Sequence, residues 1–565
     1  MTKKAILLNF KNIILTKKYF FIFGLFFLLS FIFFQSTFWY KDQTFFIKSK
    51  LWSDFAAHIP LVRSFSLGEN YSPIQYPMFA GEKIHYHFLF YFLAGFLEKI
   101  GVRIDLAINL LSAFGFALLL TMLIKLGEFY FNFKTGLLAV LLFLFNGSLT
   151  FLKFFQTNNF INFSEFTNKL INLKSFVSFG PWDGGVISAF WNLNIFTNQR
   201  HLAFGLGWLF YLIYFFEKKF SNKLKFSKFE FFSIGFLMFV LPIIHQASFA
   251  FLLVYLLLKS ITSYKKITLN SVLFFSLTGI FSLVIYQYWG SSYQPTFELG
   301  FLAKDKTFFG LTNYWLNNFG LYIFFIPFIL LLIFLRKKEL KKVSVFYLSG
   351  LVVFVLAHLF RFSPDMINNH KFITIFLLIL NLVVASLLVK LFSSSKIFKI
   401  IGAMVVLLIL TFSGVVDLFP IINDHLITKK DYHQTEFGRW VVTTSPNSVF
   451  LVNNYLYNPV SLTGRKLYLD YGYFAWSMGY PDKERRKTQQ QIFASEIEVD
   501  GWCQLVTEQK IDYLVLDMNE KKFLTDYAVD QAAFYHFSQP LEIGDRGSSS
   551  LIKIYNTKEI CQKNH

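Results

Sequence analysis

Residues 51–92 read LWSDFAAHIPLVRSFSLGENYSPIQYPMFAGEKIHYHFLFYF. Asp54, His58, Arg63, Glu69, Glu82, His85 and His87 make this stretch too polar to cross a bilayer, yet apolar runs border it on both sides. A spanning helix needs roughly 20 mostly apolar residues to cover about 30 Å of hydrocarbon. The run before the stretch, near 19–38, has that length. Lys3, Lys4, Lys11, Lys17 and Lys18 come first, so the positive-inside rule puts the N-terminus in the cytoplasm and the polar loop, about 40–86, outside. The leading run is too long for the core of a cleavable signal, and no small-residue cleavage site follows it.

The whole chain fits that solvent. Of 565 residues 55% are hydrophobic and 78 are Phe, more apolar surface than a soluble shell hides. The net charge of +20 would suggest nucleic acid in a soluble protein. Here the Lys and Arg sit in short loops between apolar runs, and no basic face with interleaved aromatics lies outside them, so nucleic acid is not a partner.

Apolar runs follow near 87–100, 106–126, 136–153 and 202–216. A second polar loop, about 156–195, carries Gly180, Pro181, Trp182, Asp183 and Gly184. Lys218, Lys219, Lys223, Lys225 and Lys228 mark a return to the cytoplasm. The stretch 231–262, broken by Pro242, His245 and Gln246, reads as two short helices meeting at the outer side. Further spans lie near 270–288 and 319–335, flanking an outer loop, then near 343–360, 373–392 and 400–420; Arg336, Lys337, Lys338, Lys341 and Lys342 are cytoplasmic and Arg361–Lys371 is a short outer loop. The expectation is about eleven to thirteen transmembrane helices. The early part does not close: a cytoplasmic N-terminus and an external C-terminus need an odd number of crossings, against about twelve runs. Either a run between 87 and 153 is re-entrant or one crossing is hidden.

After 421 the composition changes. Strand-like runs at 449–452, 511–516 and 551–555 alternate with helical patterns near 483–496 and 500–509, which predicts a small extracytoplasmic α/β domain. The division is thus 1–420 for the transmembrane domain with its outer loop 40–86, and 421–565 for the soluble domain. Both cysteines, Cys503 and Cys561, fall in the tail. They are placed to pair, but two separate buried thiols is the simpler reading.

The outer segments carry the candidate chemistry. Asp54 and His58 are four apart, so a helix puts them on one face, with Arg63 further along. Such a set beside a membrane can deprotonate an acceptor and hold a phosphate. The plainer reading is an amphipathic helix capped by Ser53 or Asp54. His85 and His87 precede an apolar run and suit ligand binding or interfacial anchoring. Arg200 and His201, in NQRHLAFGLGW, stand at the outer mouth of a span, where they bind an anionic group or the Arg snorkels. His245 lies at membrane depth, which costs about 1–3 kcal/mol unless it faces a polar cavity or bonds a neighbouring helix. Lys371, in RFSPDMINNHKF, faces a lipid phosphate or simply the interface. No metal cluster is expected from two cysteines and scattered histidines.

There is no Walker loop, no dinucleotide-binding glycine fingerprint and no Gly-x-Ser-x-Gly elbow, so an activated substrate should arrive in the lipid phase. The arrangement resembles the GT-C superfamily of membrane glycosyltransferases, which use polyprenyl-phosphate-linked sugars and include protein O-mannosyltransferases and lipid A aminoarabinose transferases. The resemblance rests on a first span followed at once by a long outer loop with an acidic residue, Asp54 in WSDFAAHIP. It rests also on the pattern of spans and loops, on the broken hairpin LPIIHQ, and on a tail with GRWVVTTSPNSVFLVNN, TGRKLYLDYGYFAWSMGY and KIDYLVLD. It covers nearly the whole chain, but through loose motifs. The acidic pair of several members is not clear: Glu69 or Glu82 would have to join Asp54.

The resemblance implies a multi-pass enzyme of the cytoplasmic membrane. It implies inverting transfer of a sugar from a polyprenyl-phosphate carrier to a glycan, lipid or protein acceptor outside the cell. Asp54 would be the general base. Arg63, Arg200 and Lys371 would stabilise the leaving phosphate, and His58 and His245 would orient the donor or line the cavity. It implies no organic cofactor and leaves a divalent cation open. Two other functions compete: a transporter or flippase of a lipid-linked substrate, and a non-catalytic envelope assembly protein on the same scaffold. Against the transporter, the ionisable residues gather in outer loops rather than through the spans.

Overall fold

A computed structural model describes residues 16–158, 161–178, 190–222, 224–452, 456–494, 498–517, 541–544 and 551–563. Lys3, Lys4, Lys11, Lys223 and the loop residues Gly180, Pro181, Trp182, Asp183 and Gly184 lie outside the described residues. In chain order the principal elements begin with α1 (Lys17–Gln35), β1 (Phe38–Lys41), β2 (Thr44–Lys48), α2 (Trp52–Ser66) and α3 (Leu89–Lys99). There follow α4 (Ile104–Tyr130), α5 (Phe133–Leu144), α6 (Leu193–Asn198), α7 (Arg200–Ser221), α8 (Lys228–Ile244) and α9 (Gln246–Thr262). Next come α10 (Leu269–Trp289), α11 (Phe308–Phe319), α12 (Tyr322–Phe334), α13 (Ser344–Leu359), α14 (His370–Phe392) and α15 (Ile397–Ile422). The tail holds β3 (Leu426–Lys430), α16 (Glu436–Thr443), β4 (Val449–Val452), β5 (Lys466–Leu467), α17 (Gly472–Ser477), α18 (Asp482–Ala494) and α19 (Val499–Glu508). It ends with β6 (Tyr513–Asp517), β7 (Leu541–Gly544), β8 (Leu551–Asn556) and α20 (Thr557–Lys563).

The chain forms two compact units. The first is Met1–Thr37, Asn109–Gly290 and Gln294–His425; the second is Phe38–Ile108, Ser291–Tyr293 and Leu426–His565. This departs from the division expected at 420, because the first polar loop belongs with the tail. The reason is backbone pairing: β2 takes β1 on one side and β3 on the other, Thr44 facing Lys430 and Lys48 facing Leu426.

Among the described residues of the first unit, α1, α4, α10, α14 with the turn before it, and α15 are long and apolar enough to cross a membrane. The pair α11 and α12, bent by 101°, would add a sixth. The count falls below the sequence expectation because α5, α9 and α13 have only 12 to 17 residues, about 18–26 Å at 1.5 Å per residue. α1 turns Phe20 and Phe21 outward, 63% and 72% exposed, a face only lipid would cover. α14 is the opposite, buried all round through the consecutive Ile375, Phe376, Leu377 and Leu378. Small residues let the helices close up: a Cβ on Gly127 would lie 2.4 Å from Gly136, and one on Gly115 2.4 Å from Phe204. The 231–262 stretch is two helices, as expected, and the break falls at His245 rather than at Pro242, which α8 absorbs.

The run at 87–100 is α3, eleven residues and about 16 Å long, too short to cross. It packs on α2, where a Cβ on Gly95 would stand 2.6 Å from the Val62 carbonyl oxygen. The rest of the second unit is a mixed sheet in the order β5-β4-β6-β8-β7. β4 runs parallel to β5 and β6, and β8 runs antiparallel to β6 and β7. Phe437, Val441, Phe450, Val452, Leu467 and Val515 form its core. The strands at 449–452, 511–516 and 551–555 and the helices after 482 and 499 stand close to where the sequence puts them. The cysteines correct the sequence reading: Cys503 of α19 and Cys561 of α20 form a disulfide, with Cα atoms 5.6 Å apart.

Candidate functional site

The nine candidate residues fall on both units. In the second unit α2 is a helix, so Asp54 and His58 share a face as the spacing predicts. The capping alternative does not hold: the N-cap position is Leu51 and has no side-chain cap. Asp54 lies half-buried in the first turn, where the positive end of the helix favours a carboxylate. His58 is buried, its ring 5.4 Å from Phe55 and 5.1 Å from Tyr91.

Three phenols lie within electrostatic range of Asp54. Tyr86 and Tyr91 are hydrogen-bonded to each other, and the Tyr457 hydroxyl donates to the Trp52 carbonyl. Burial pushes all three phenols above their ordinary pKa, and the charge of Asp54 adds to it. They stay protonated and remain hydrogen-bond donors at any physiological pH. Tyr457 also holds φ at +54°, a conformation that costs a bulky residue strain and tends to mark a functional position. None of the three was named from the sequence. Tyr86 and Tyr91 flank His87 and were legible as neighbours; Tyr457, some 400 positions on, carried no signal. His87 is buried with its ring 3.8 Å from Tyr86, while the His85 backbone N–H donates to the Tyr480 hydroxyl at 2.9 Å. Glu69 and Glu82 are exposed, and neither acts on the three phenols.

Arg63 has a different job from the one its sequence position suggested. It is buried, with Nε 2.8 Å from Glu98 and Nη2 2.9 Å from Asp431. Ser66 donates to Glu98 at 2.5 Å and the His433 backbone N–H to Asp431 at 3.2 Å. Burial opposes the guanidinium charge, but the two carboxylates outweigh it and hold its pKa above the usual value. With two anions already against it, Arg63 is a poor partner for a third.

In the first unit, Arg200 opens α7 fully buried, its guanidinium 4.5 Å from the Phe34 ring and Nη2 donating to Thr37 Oγ1 at 2.6 Å. It therefore does not snorkel to solvent. His201 has its ring 6.2 Å from that of His245. His245 takes an extended backbone between α8 and α9 and caps α9: Nδ1 accepts the Ser248 backbone N–H at 3.2 Å and lies 2.7 Å from Ser248 Oγ. The neutral ring then carries its proton on Nε2. Gly205 of α7 permits this approach, since a Cβ there would meet the His245 Cβ at 2.4 Å. Lys371, half-buried in the first turn of α14, and His370 beside it lie within electrostatic range of His245. His201, His370 and Lys371 thus all lie near His245. His370 was noted in the sequence but not singled out.

Among the described residues no three of His, Cys, Asp and Glu come together to hold a metal ion. No family model matches the chain, and no curated protein matches it. The chain is similar in structure to the oligosaccharyltransferase of Archaeoglobus fulgidus in its apo form: 11% identity, 93% of this chain and 74% of that one covered, TM-score 0.44. The same enzyme tethered to an acceptor peptide with the NVT sequon matches at 11% identity over 94% and 75%, TM-score 0.42. Archaeal AglB in complex with an inhibitory peptide and a dolichol-phosphate matches at 12% over 96% and 74%, TM-score 0.41. Identity this low with TM-scores under 0.5 carries no chemistry across to this chain.

Proposed function

We propose that the chain is an integral membrane glycosyltransferase of the cytoplasmic membrane, moving a sugar from a polyprenyl-phosphate carrier to an extracytoplasmic glycan, lipid or protein acceptor. The observation that carries the reading is Asp54, a half-exposed carboxylate in a helix's first turn, with three protonated phenols in its field. In the inverting step, the acceptor hydroxyl oxygen bonds to the anomeric carbon and the bond from that carbon to the phosphate oxygen breaks. Asp54 takes the hydroxyl proton and the lipid phosphate leaves as the anion. The phenols and His58, His85 and His87 shape the acceptor side. In the first unit, taken by itself, Arg200, His201, His245 and Lys371 are the groups suited to an anionic phosphate. Arg63 has no part in this assignment, and no step runs through a cation.

The topology supports an outward-facing second unit. Loop charge is what supports it: Lys17 and Lys18 precede α1, and basic residues follow α7, α9 and α12, which puts those ends inside. A disulfide such as Cys503–Cys561 persists outside the cytoplasm. The test is transfer by membranes supplied with a panel of polyprenyl-phosphate sugars, wild type against Asp54→Asn at matched expression. Loss of transfer in the variant is the expected result; equal transfer removes Asp54 from the chemistry, and no transfer from any donor by wild type removes the reading.

A further inference from the structure

Independently of that reading, we propose that the inner face of α14 carries an internal water site reaching from His370 into the first unit. His370, Thr374 and Asn381 stand four and eleven positions apart, which places them within about 40° of one another around the helix. All three are buried, 1%, 4% and 0% exposed. Among the described residues none bonds to one polar atom of each: His370 Nε2, Thr374 Oγ1 and Asn381 Oδ1.

The details make these atoms a set. His370 Nδ1 lies 2.8 Å from the Ile367 carbonyl and must donate to it, so a neutral ring leaves a lone pair on Nε2. A threonine inside a helix normally satisfies itself on the carbonyl four residues back. Thr411 does so on Leu407 at 2.8 Å and Thr278 on Phe274 at 2.7 Å, but Thr374 does not. Asn381 Nδ2 reaches Asn146 Oδ1 only at 3.4 Å, and Asn146 Nδ2 is also unbonded. Asn194 of α6 adds a buried amide with neither atom bonded; two residues on, Phe196 packs on Phe143 at 5.3 Å, just before Asn146.

The occupant follows from the chemistry. Nε2 and Oδ1 need a donor, Nδ2 needs an acceptor, and Oγ1 takes either. Water meets all three demands and is small enough for a buried polar site. In hydrocarbon no other solvent is present to answer them. From His370 to Asn381 the set descends about 16 Å along the helix.

Thermal unfolding of the full chain in proteoliposomes, wild type against Thr374→Val, tests this. A hydrated hydroxyl loses its bonds and the melting temperature falls; an unchanged or higher melting temperature means a dry site and overturns it.

Discussion

The start of α2 in the second unit and the start of α14 in the first carry similar sequence material, an acid, a histidine and a base within ten or so positions. They fold to different ends. Around α2 the buried charge is met by opposite charge: Arg63 against Glu98 and Asp431. One acid, Asp54, is left half-exposed among phenols. Around α14 the buried groups are uncharged or shared out, with His370, Thr374 and Asn381 holding polar atoms that no described neighbour satisfies. A surface next to water can keep a carboxylate ready to take a proton, because hydration stabilises the charge. A helix packed on all sides can offer hydrogen bonds but not an isolated charge.

The sharpest way to break the comparison is to remove the one titratable group it singles out. Asp54→Asn should lower transfer by about 10²–10⁴-fold with little change in melting temperature, whereas Thr374→Val should leave chemistry far less affected. Matching losses would mean the two regions do not differ in kind. Next in size is the ion cluster: Arg63→Ala strands the buried Asp431 and the mostly covered Glu98 and should destabilise the protein by about 3–5 kcal/mol, read by thermal unfolding in detergent. A change near zero would show that water already reaches Glu98 and Asp431. Removing the Cys503–Cys561 bridge, which spans 58 residues, should cost about 2–4 kcal/mol. Limited proteolysis should place the loss in the second unit and spare the first.

The smallest effect concerns Asp470, buried after β5 with the Tyr471 backbone N–H on its carboxylate. Burial holds its pKa well above the ordinary value, against that hydrogen bond. A raised folded pKa adds stability at pH below the ordinary carboxylate range, and that stability is lost as the pH climbs through the folded value. The melting temperature of Asp470→Asn minus that of wild type should therefore grow from about pH 4 to about pH 8. A flat difference would mean that the carboxylate is already compensated.

Much of this was legible locally. The α2 helix and the shared face of Asp54 and His58 follow from spacing. The strands at 449–452 and 551–555 follow from composition, and the break at His245 from an ionisable residue in an apolar run. The phenols around Asp54 were only half legible, since Tyr457 comes from a distant segment. The ion pairs of Arg63 were not legible because its partners Glu98 and Asp431 lie 35 and 368 positions away, and nothing beside it in sequence announces them.

The sequence by itself determined the solvent of each segment, because hydrophobic length and loop charge act residue by residue. It marked the 51–92 stretch as polar, outward and chemically equipped. Only the tertiary structure decided that this stretch folds with residues 426–565, that α3 does not cross, that the two cysteines join, and that Arg63 is held by Glu98 and Asp431. Those outcomes depend on which distant groups meet, and pairing across hundreds of residues is set by the complementarity of whole surfaces, which no local pattern records.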